Sequence, residues 1–488
     1  MKKIIAFAFI GCLLLNACSK VAPNANKTID SYPEIFPDYT EVTIPTNIAP
    51  LNFGLIDKNA EAWASLSIGN ESIQVPMKKG TFHWNASDWK KLLTIATGKS
   101  IKVVVTVKTE TGWANYKPFE IYVSKDKMDD YIAYRRIAPG YELWKSLGIY
   151  QRELSTYNES AILENRQTED NCMNCHSFCN RQPDHFLFHL RQKFGGTYLI
   201  NGENVEKLNT KTNQTISDFV YPSWHPGGRF VAFSVNKTKQ FFHPVDKNRV
   251  EVYDEASDVI VYDSERHEVL TTDALFSKQQ FETFPTFSAD GKTLYYCSAK
   301  AKEMPANFKE IKYSLCAISF DPTNRKFGNK VDTLFSSSEE NKSVSFPRVS
   351  PDGKYLMFTV SEYGNFSIWH KDADLYIYNL QQGTYHSLEN VNSSDVESYH
   401  SWSSNSRWFV FSSRRIDGLY TRPYFAHITE DGTVSKPFLL PQKEQGFYEN
   451  LMQSYNIPEF VSGKIEVSAR KLVDAAHGKS TGVKMTAH

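Results

Sequence analysis

The sequence predicts an all-β protein in which a small β-sandwich domain precedes a six-bladed β-propeller. Two observations carry this prediction: a strand–turn–strand motif recurs through the second half of the chain, and apolar and polar residues alternate through the first quarter. Aromatic residues make up 14% of the chain, which favours β-sheet. Because 488 residues suffice for two or three domains, we expect the sandwich over residues 36–125 and the propeller over residues 126–470.

The chain begins with a predicted targeting segment over residues 1–17. Two lysines precede an apolar run over residues 4–15, which is shorter than the about 20 residues needed to cross a bilayer. The run ends in Leu15-Asn16-Ala17-Cys18, which resembles the bacterial lipobox. That resemblance implies cleavage before Cys18 and a lipid on its thiol. An ordinary signal peptide with an incidental cysteine is the alternative.

Residues 18–35 are predicted to form a polar tether. In the lipoproteins that this start resembles, an acidic run after the cysteine directs surface display, and no such run follows Cys18. We therefore expect a lipid anchor in the outer membrane that faces the periplasm. Lys plus Arg and Asp plus Glu both number 55, so no basic excess is present to neutralise phosphates and no nucleic-acid partner is expected.

Short alternating runs predict the strands of the sandwich domain. Residues 62–68 and 101–107 alternate apolar and polar side chains, which is typical of half-buried strands. One predicted helix interrupts them over residues 88–93, with Ser87 as its N-cap. The domain contains no cluster of catalytic residue types.

A strand–turn–strand motif recurs four times in the propeller region. Each copy holds a strand, a tight Asp-Gly, Gly-Gly or Asn-Ser turn and a returning strand, over residues 221–233, 284–296, 346–358 and 399–411. Proline fills the second position of the first three copies, here named the slot, and His400 fills it in the fourth. Successive slots are 63, 62 and 53 residues apart, which is typical of four-stranded propeller blades with long loops.

Two partial copies complete a ring of six blades. Cys175-His176 matches the slot of the fourth copy and opens the first full blade, while residues 455–458 begin a copy that stops after one strand. Residues 131–136 and 148–154 are predicted to supply the missing strands of that last blade. Ring closure of this kind removes exposed edge strands. Residues 471–488 are then predicted to be a tail.

The repeated motifs resemble a known family. Ser350-Pro351-Asp352-Gly353-Lys354 and residues 288–292 resemble the Pro-Asp repeats of TolB-like β-propellers. The order of lipobox, small β domain, C-x-x-C-H motif and propeller is similar to TolB-like lipoproteins of Bacteroidetes, some of which are labelled cytochrome c biosynthesis proteins. The resemblance implies a TolB-like, WD40-like propeller that binds an envelope protein without catalysis.

The residues Cys172-Met173-Asn174-Cys175-His176 form a C-x-x-C-H motif. This spacing lets two thiols bond covalently to a haem while the histidine ligates its iron. The sequence therefore predicts haem c at Cys172, Cys175 and His176. A disulfide or free thiols, or a zinc site that adds Cys179, are the alternatives.

A second axial ligand is expected from one of four histidines. His185 and His189 are nearest in sequence, and His225 lies three residues beyond its blade's slot. His400 occupies the same slot as His176, so both are expected to face the funnel at the propeller axis. For each of the four, a hydrogen-bonded structural histidine is the alternative.

Two further sets of residues are candidates. Cys297 and Cys316 lie on successive predicted strands, which predicts a cross-strand disulfide, with two buried thiols as the alternative. Arg414, Arg415 and Arg422 are candidates to bind an anion at the funnel mouth, with ordinary surface charge as the alternative.

The function expected from these motifs is that of an envelope lipoprotein with one covalent haem, acting in electron transfer or haem-linked binding with a redox partner. The alternative is a non-catalytic propeller scaffold that binds envelope proteins, with the cysteine pair as a disulfide or metal site. No Gly-x-Ser-x-Gly, His-Glu-x-x-His or phosphate-loop motif is present, so hydrolase chemistry has no support in the sequence.

Overall fold

The computed structural model describes residues 21–138 and 146–486. The predicted signal peptide and Cys18, the predicted lipidation site, lie outside these residues. In the described part of the chain, no helix is both long and apolar enough to span a membrane.

The N-terminal unit is a mixed seven-stranded sheet with one helix and a short two-stranded sheet. The seven strands are Lys27–Ile29, Thr43–Ile44, Ala62–Ile68, Glu71–Pro76, Ser100–Thr109, Gly112–Tyr116 and Phe119–Val123. The two-stranded sheet pairs Ile35–Phe36 with Gly54–Leu55. The first strand, Lys27–Ile29, pairs in parallel with Gly112–Tyr116, so the predicted tether contributes to the sheet and its boundary at residue 35 is wrong.

The helix of this unit spans Ala86–Ala96 and buries Trp89, Leu92 and Leu93 against the sheet. Its N-cap is Asn85, whose side chain accepts hydrogen bonds from the backbone N–H groups of Ser87 and Asp88. The predicted cap at Ser87 is therefore two residues late, because Asn caps a helix as well as Ser does.

Six small antiparallel sheets form the predicted propeller, and each has four strands of the ring. Blade 1 contains Tyr131–Ile137, Leu147–Glu153, Glu159–Glu164 and Ser454–Val461. Blade 2 contains Met173–Phe178, His185–Leu190, Gly196–Asn201 and Asn204–Asn209. Blade 3 contains Phe219–Trp224, Phe230–Phe242, Val250–Asp263 and Glu268–Leu270.

The other three blades follow the same order along the chain. Blade 4 contains Gln280–Phe287, Thr293–Lys300, Ser314–Asp321 and Lys326–Phe335. Blade 5 contains Ser343–Val349, Tyr355–Ser361, Asp374–Asn379 and Thr384–Ser387. Blade 6 contains Glu397–Trp402, Trp408–Ser413, Arg422–His427 and Phe438–Leu439. Two short helices, Ser337–Glu340 and Phe447–Asn450, lie in the connections.

The ring closes as the sequence predicts. Ser454–Val461 pairs antiparallel with Tyr131–Ile137, so the last strand of the ring completes the blade that the chain begins. It joins the first strands of blades 2 to 6 in a closed circle of contacts around the axis, and these six are named the inner strands. Every blade of the described structure therefore has its inner strand.

The residues after the ring are ordered against the outer edges of two blades. A helix spans Ala469–His477, and the short strands Thr481–Gly482 and Lys484–Met485 pair in parallel with the outer strands of blades 2 and 3. The predicted tail is therefore wrong: residues 471–486 form a clasp that spans two adjacent blades.

The N-terminal unit packs on the propeller through one continuous apolar core that includes residues of blades 1, 5 and 6. Hydrogen bonds fix its orientation: Trp408 Nε1 donates to the carbonyl of Asp126 at 3.0 Å, and Tyr39 Oη donates to the carbonyl of Leu439 at 3.3 Å.

The predicted disulfide in blade 4 is wrong because of strand register. Cys297 pairs with Leu315, while Cys316 pairs with Tyr296. Residues one position out of register face opposite sides of a sheet, so the two thiols lie in different apolar clusters. Both cysteines are free and buried.

Candidate binding site at the propeller axis

Each inner strand carries a β-bulge at its slot. The residue before the slot takes a positive φ between 48° and 54° in every blade: Cys175, Tyr221, Phe284, Phe346, Tyr399 and Ile457. The strand register shifts at the same place in all six ladders. A bulge bends the strand and re-aims its side chains, so the residue before the slot, not the slot residue, faces the axis.

These six residues, named the axial ring, meet side by side at the centre. Aromatic rings of adjacent blades lie 4.4 Å (Tyr221–Phe284), 4.1 Å (Phe284–Phe346) and 4.9 Å (Phe346–Tyr399) apart between centroids. Tyr221 and Phe346, which are two blades apart, are 6.3 Å apart. Rings on inner strands two blades apart come this close by reaching across the axis, so the axial ring closes the central channel.

Two cavities lie on the axis, one on each side of the axial ring. The wide cavity, about 630 Å³, lies at the beginnings of the inner strands, and four members of the axial ring line it. The narrow cavity, about 190 Å³, lies at their ends. The residue after the slot lines it in all six inner strands: Ser177, Ser223, Thr286, Arg348, Ser401 and Glu459.

The wide cavity carries a strong excess of positive charge. Arg135, Arg191, Lys239 and Arg414 line it, and the one lining carboxylate is Asp218. Asp218 already accepts a hydrogen bond from the Thr210 hydroxyl at 3.2 Å. Within the described residues, none of the four cations has a carboxylate oxygen within 4.0 Å of its nitrogens.

Arg414 is held rigidly at the wall of the wide cavity. Its side chain is only 3% exposed, and its guanidinium lies over the Trp369 ring at 3.5 Å from the centroid. Its Nε donates to the carbonyl of Ile368 at 2.9 Å, and its Nη1 donates to the carbonyl of Leu419. Burial lowers the pKa of Arg414 to about 9.

Two buried amide oxygens in the wall of the wide cavity lack a partner. Asn174 and Asn236 are each 8% exposed, and in the described structure the Oδ1 of each accepts no hydrogen bond. Asn236 is held by its other amide atom, since its Nδ2 donates to Asp254 Oδ2 at 2.7 Å. A buried acceptor without a donor costs free energy, so both oxygens are unusual features of this wall.

The charged residues that line the narrow cavity are Arg181, Arg348 and Glu459. Burial raises the pKa of Glu459 to about 7, against the opposing effect of the Arg348 and Arg181 guanidinium groups. Glu459 Oε2 accepts the backbone N–H of Phe178 at 3.0 Å, and Arg181 Nε donates to the carbonyl of Trp402 at 2.8 Å. Both guanidinium groups therefore favour the ionised form of the Glu459 carboxyl, and its burial disfavours that form.

The C-x-x-C-H motif is split by the bulge of blade 2. Cys172 and Cys175 line the wide cavity, but His176 lines neither cavity. His176 is 1% exposed, lies against the backbone of Ile457, and has both ring nitrogens without a hydrogen bond of standard geometry in the described structure. Burial lowers the pKa of His176 to about 3, so the ring is neutral.

These positions do not fit a c-type haem with His176 as its iron ligand. A free, neutral ring nitrogen is what iron requires, but neither axial cavity reaches the His176 ring. Nor do the residues fit zinc. Cys179 lies beside Gly228 and does not line the wide cavity, and no group of three metal-ligating side chains converges in the described part of the chain.

Of the four predicted second ligands, only His189 lines the wide cavity. His400 Nε2 lies 3.0 Å from the carbonyl of Met357 in blade 5, so a slot residue points at the neighbouring blade and the predicted axial position of His400 is wrong. His225 Nδ1 accepts the Gly227 N–H at 3.0 Å, and His185 packs its ring on Trp224. These three are structural histidines.

Of the three arginines considered for an anion, only Arg414 lies at the funnel. Arg415 pairs with Glu397 at 2.9 Å, and three backbone carbonyls bind the Arg422 guanidinium. Arg135, Arg191 and the two asparagines were missed by the sequence analysis. They lie outside the recurring motif, so no repeat signal marks them.

Comparisons with known proteins add little beyond architecture. No family model matches the sequence, and no curated protein matches it. Among solved structures, a DUF4784 family protein from Bacteroides caccae is similar at 7% identity and a TM-score of 0.31, covering 74% of this chain and 96% of that one. An ancestral GH74 enzyme matches at 9% identity and a TM-score of 0.35, covering 69% of this chain and 44% of that one.

Prolyl oligopeptidase B from Galerina marginata matches at 8% identity and a TM-score of 0.34, covering 84% of this chain and 62% of that one. The sheet topology of the chain itself defines the class of protein: a six-bladed β-propeller with a seven-stranded N-terminal unit. Its particular feature is an axial channel that six side chains divide into a wide and a narrow cavity.

Proposed function

We propose that this chain is a lipid-anchored binding protein of the cell envelope, and that the wide cavity is its binding site. The observation that carries the proposal is the wide cavity at the axis. The axial ring closes it at one end, and its four cationic side chains outnumber its one carboxylate. At about 630 Å³ it lies within the roughly 300–1,000 Å³ typical of small-molecule sites. Covalent haem is not part of the proposal, because His176 lies outside the cavity that the two thiols line.

Blocking the cavity tests this proposal. Val220 lines the wide cavity and is half-buried, so Val220→Trp places an indole in it. The matched control is Val245→Trp, because Val245 is 94% exposed on a loop. Ligand carried by each purified protein is released by denaturation and identified by mass spectrometry, after circular dichroism has shown that both variants fold.

We expect wild type and Val245→Trp to carry the same ligand and Val220→Trp to lose it. Equal occupancy in all three proteins would show that the ligand binds elsewhere and would remove the wide cavity as the site.

The anchor is tested separately at Cys18. Cys18→Ala removes the lipid attachment point, so the protein should leave the membrane fraction. Labelled fatty acid should appear on wild type and not on the variant. Membrane association of the variant without any label on wild type would contradict the lipoprotein proposal.

A further inference from the structure

We infer that the wide cavity takes a small organic anion, one that carries carboxylate or phosphoryl groups together with hydroxyl or N–H donors. This inference rests on the proposed function and names the ligand class of the same site. It follows from three features of the cavity wall: its charge, its free acceptors and its rigidity.

Charge selects the anion. Four cationic side chains and one carboxylate line the cavity, and the cations have no ion pair of their own in the described structure. Arg191 and Lys239 are exposed, whereas Arg414 is buried and Arg135 half-buried. A cleft lined by one sign of charge concentrates ligands of the opposite sign, and guanidinium groups match carboxylate and phosphate geometry.

The free acceptors select the rest of the ligand. A bare anion would satisfy the arginines but would leave Asn174 Oδ1 and Asn236 Oδ1 without donors. A ligand with a hydroxyl or N–H group beside its acidic group satisfies both kinds of wall residue. A hydroxy acid or a phosphorylated polyol has this combination of groups.

Two of the cationic side chains are held in place before a ligand binds, which lowers the entropic cost of binding. Arg414 is fixed by the Trp369 ring and by two carbonyls before any ligand arrives. Arg135 Nη1 likewise donates to the carbonyl of Met173 at 3.3 Å, while its Nε has no partner in the described structure. Side chains ordered in advance lose little entropy on binding.

Two pairs of probes separate these features. Glucose 6-phosphate and glucose differ by the phosphoryl group, and citrate and tricarballylate differ by one hydroxyl. Each is titrated at millimolar concentration into the full-length mature protein in detergent, by isothermal calorimetry at low and at physiological salt.

The variant is Arg191→Gln, which changes an exposed side chain of the wide cavity and leaves the core intact. The matched control is Arg470→Gln, because the Arg470 side chain is 91% exposed on the C-terminal helix and lies outside the cavity. Loss of one charge-assisted hydrogen bond should weaken binding by roughly tenfold.

We expect glucose 6-phosphate or citrate to bind, its uncharged or dehydroxylated partner to bind more weakly, and Arg191→Gln alone to lower the affinity. If glucose binds as tightly as glucose 6-phosphate, or if no anionic probe gives heat, the inference is overturned. If the anion binds but Arg191→Gln has no effect, the wide cavity is not its site. The proposed binding function is tested separately, by whether Val220→Trp loses the ligand that the wild-type protein carries. Failure of the anion probes would therefore overturn the ligand class and leave the binding function to be decided by that experiment.

Discussion

The two axial cavities are built from the same six strands, yet they differ in size, charge and origin. The narrow cavity is lined by the recurring motif itself, including Ser288 and Ser350 at the turns, and its carboxylate, Glu459, lies within electrostatic reach of its two arginines. The wide cavity is lined by four members of the axial ring and by residues between the motifs, and its four cationic side chains outnumber its one carboxylate. One end of the ring therefore serves to hold the blades together, and the other is free to carry specificity.

The largest effect is expected from truncating one side chain of the axial ring, which separates the two cavities. Phe346→Ala deletes a 3% exposed ring that contacts Phe284 and Tyr399, and it joins the two cavities. Such a deletion costs about 3–5 kcal/mol of unfolding free energy, measured by denaturant titration. The control is Phe242→Ala, because Phe242 is 49% exposed at the end of its strand. This variant should lose under about 0.5 kcal/mol of unfolding free energy. Equal losses would mean that the axial ring is not a packed core.

The free energy of unfolding should depend on pH through Glu459, the carboxylate of the narrow cavity. Burial raises the pKa of Glu459 from 4.5 to about 7, so the folded state holds its proton longer than the unfolded state. The free energy of unfolding is therefore unaffected by this group below pH about 4.5. It falls as the pH rises from about 4.5 to 7, by on the order of 3 kcal/mol.

Glu459→Gln should therefore lose less stability than wild type between pH 5 and 7.5, as measured by urea titration at each pH, since the amide cannot ionise. Glu430→Gln, on an 87% exposed side chain, is the control and should follow wild type. Parallel curves for wild type and Glu459→Gln would contradict the assigned pKa.

The smallest expected effect concerns the two thiols of the wide cavity. Because His176 does not reach that cavity, we expect the peptide with Cys172 and Cys175 to keep its unmodified mass after expression in a host that attaches haem. A known c-type cytochrome matured in the same cells is the control. A Soret band together with a haem adduct on this peptide would restore the haem hypothesis and require the blade 2 bulge to rearrange.

The repeat made much of the fold predictable. Strand–turn–strand copies place the blades, and three turn glycines, Gly228, Gly291 and Gly353, take φ between 70° and 75° as their turns require. In the fourth copy Ser406 takes the same role at 61°. Ring closure followed from counting strands.

The candidate site was less predictable, for two physical reasons. His176 and His400 do occupy equivalent slots of their blades. The side chains of a strand do not alternate regularly across a bulge, so the expectation that both face the axis was wrong. Arg135, Arg191 and Trp369 come from segments with no common pattern, and only the closed ring brings them together.

The junction that closes the ring also sets an order of assembly. Gln151 and Ile465 exchange two side chain–backbone hydrogen bonds across 314 residues of sequence, beside the strand that completes blade 1. Blade 1 therefore stays incomplete until the last strand of the ring reaches the compartment in which the chain folds. For that interval Tyr131–Ile137 is an open template for any passing strand. A chaperone that shields this strand during biogenesis would then govern the yield of the whole protein.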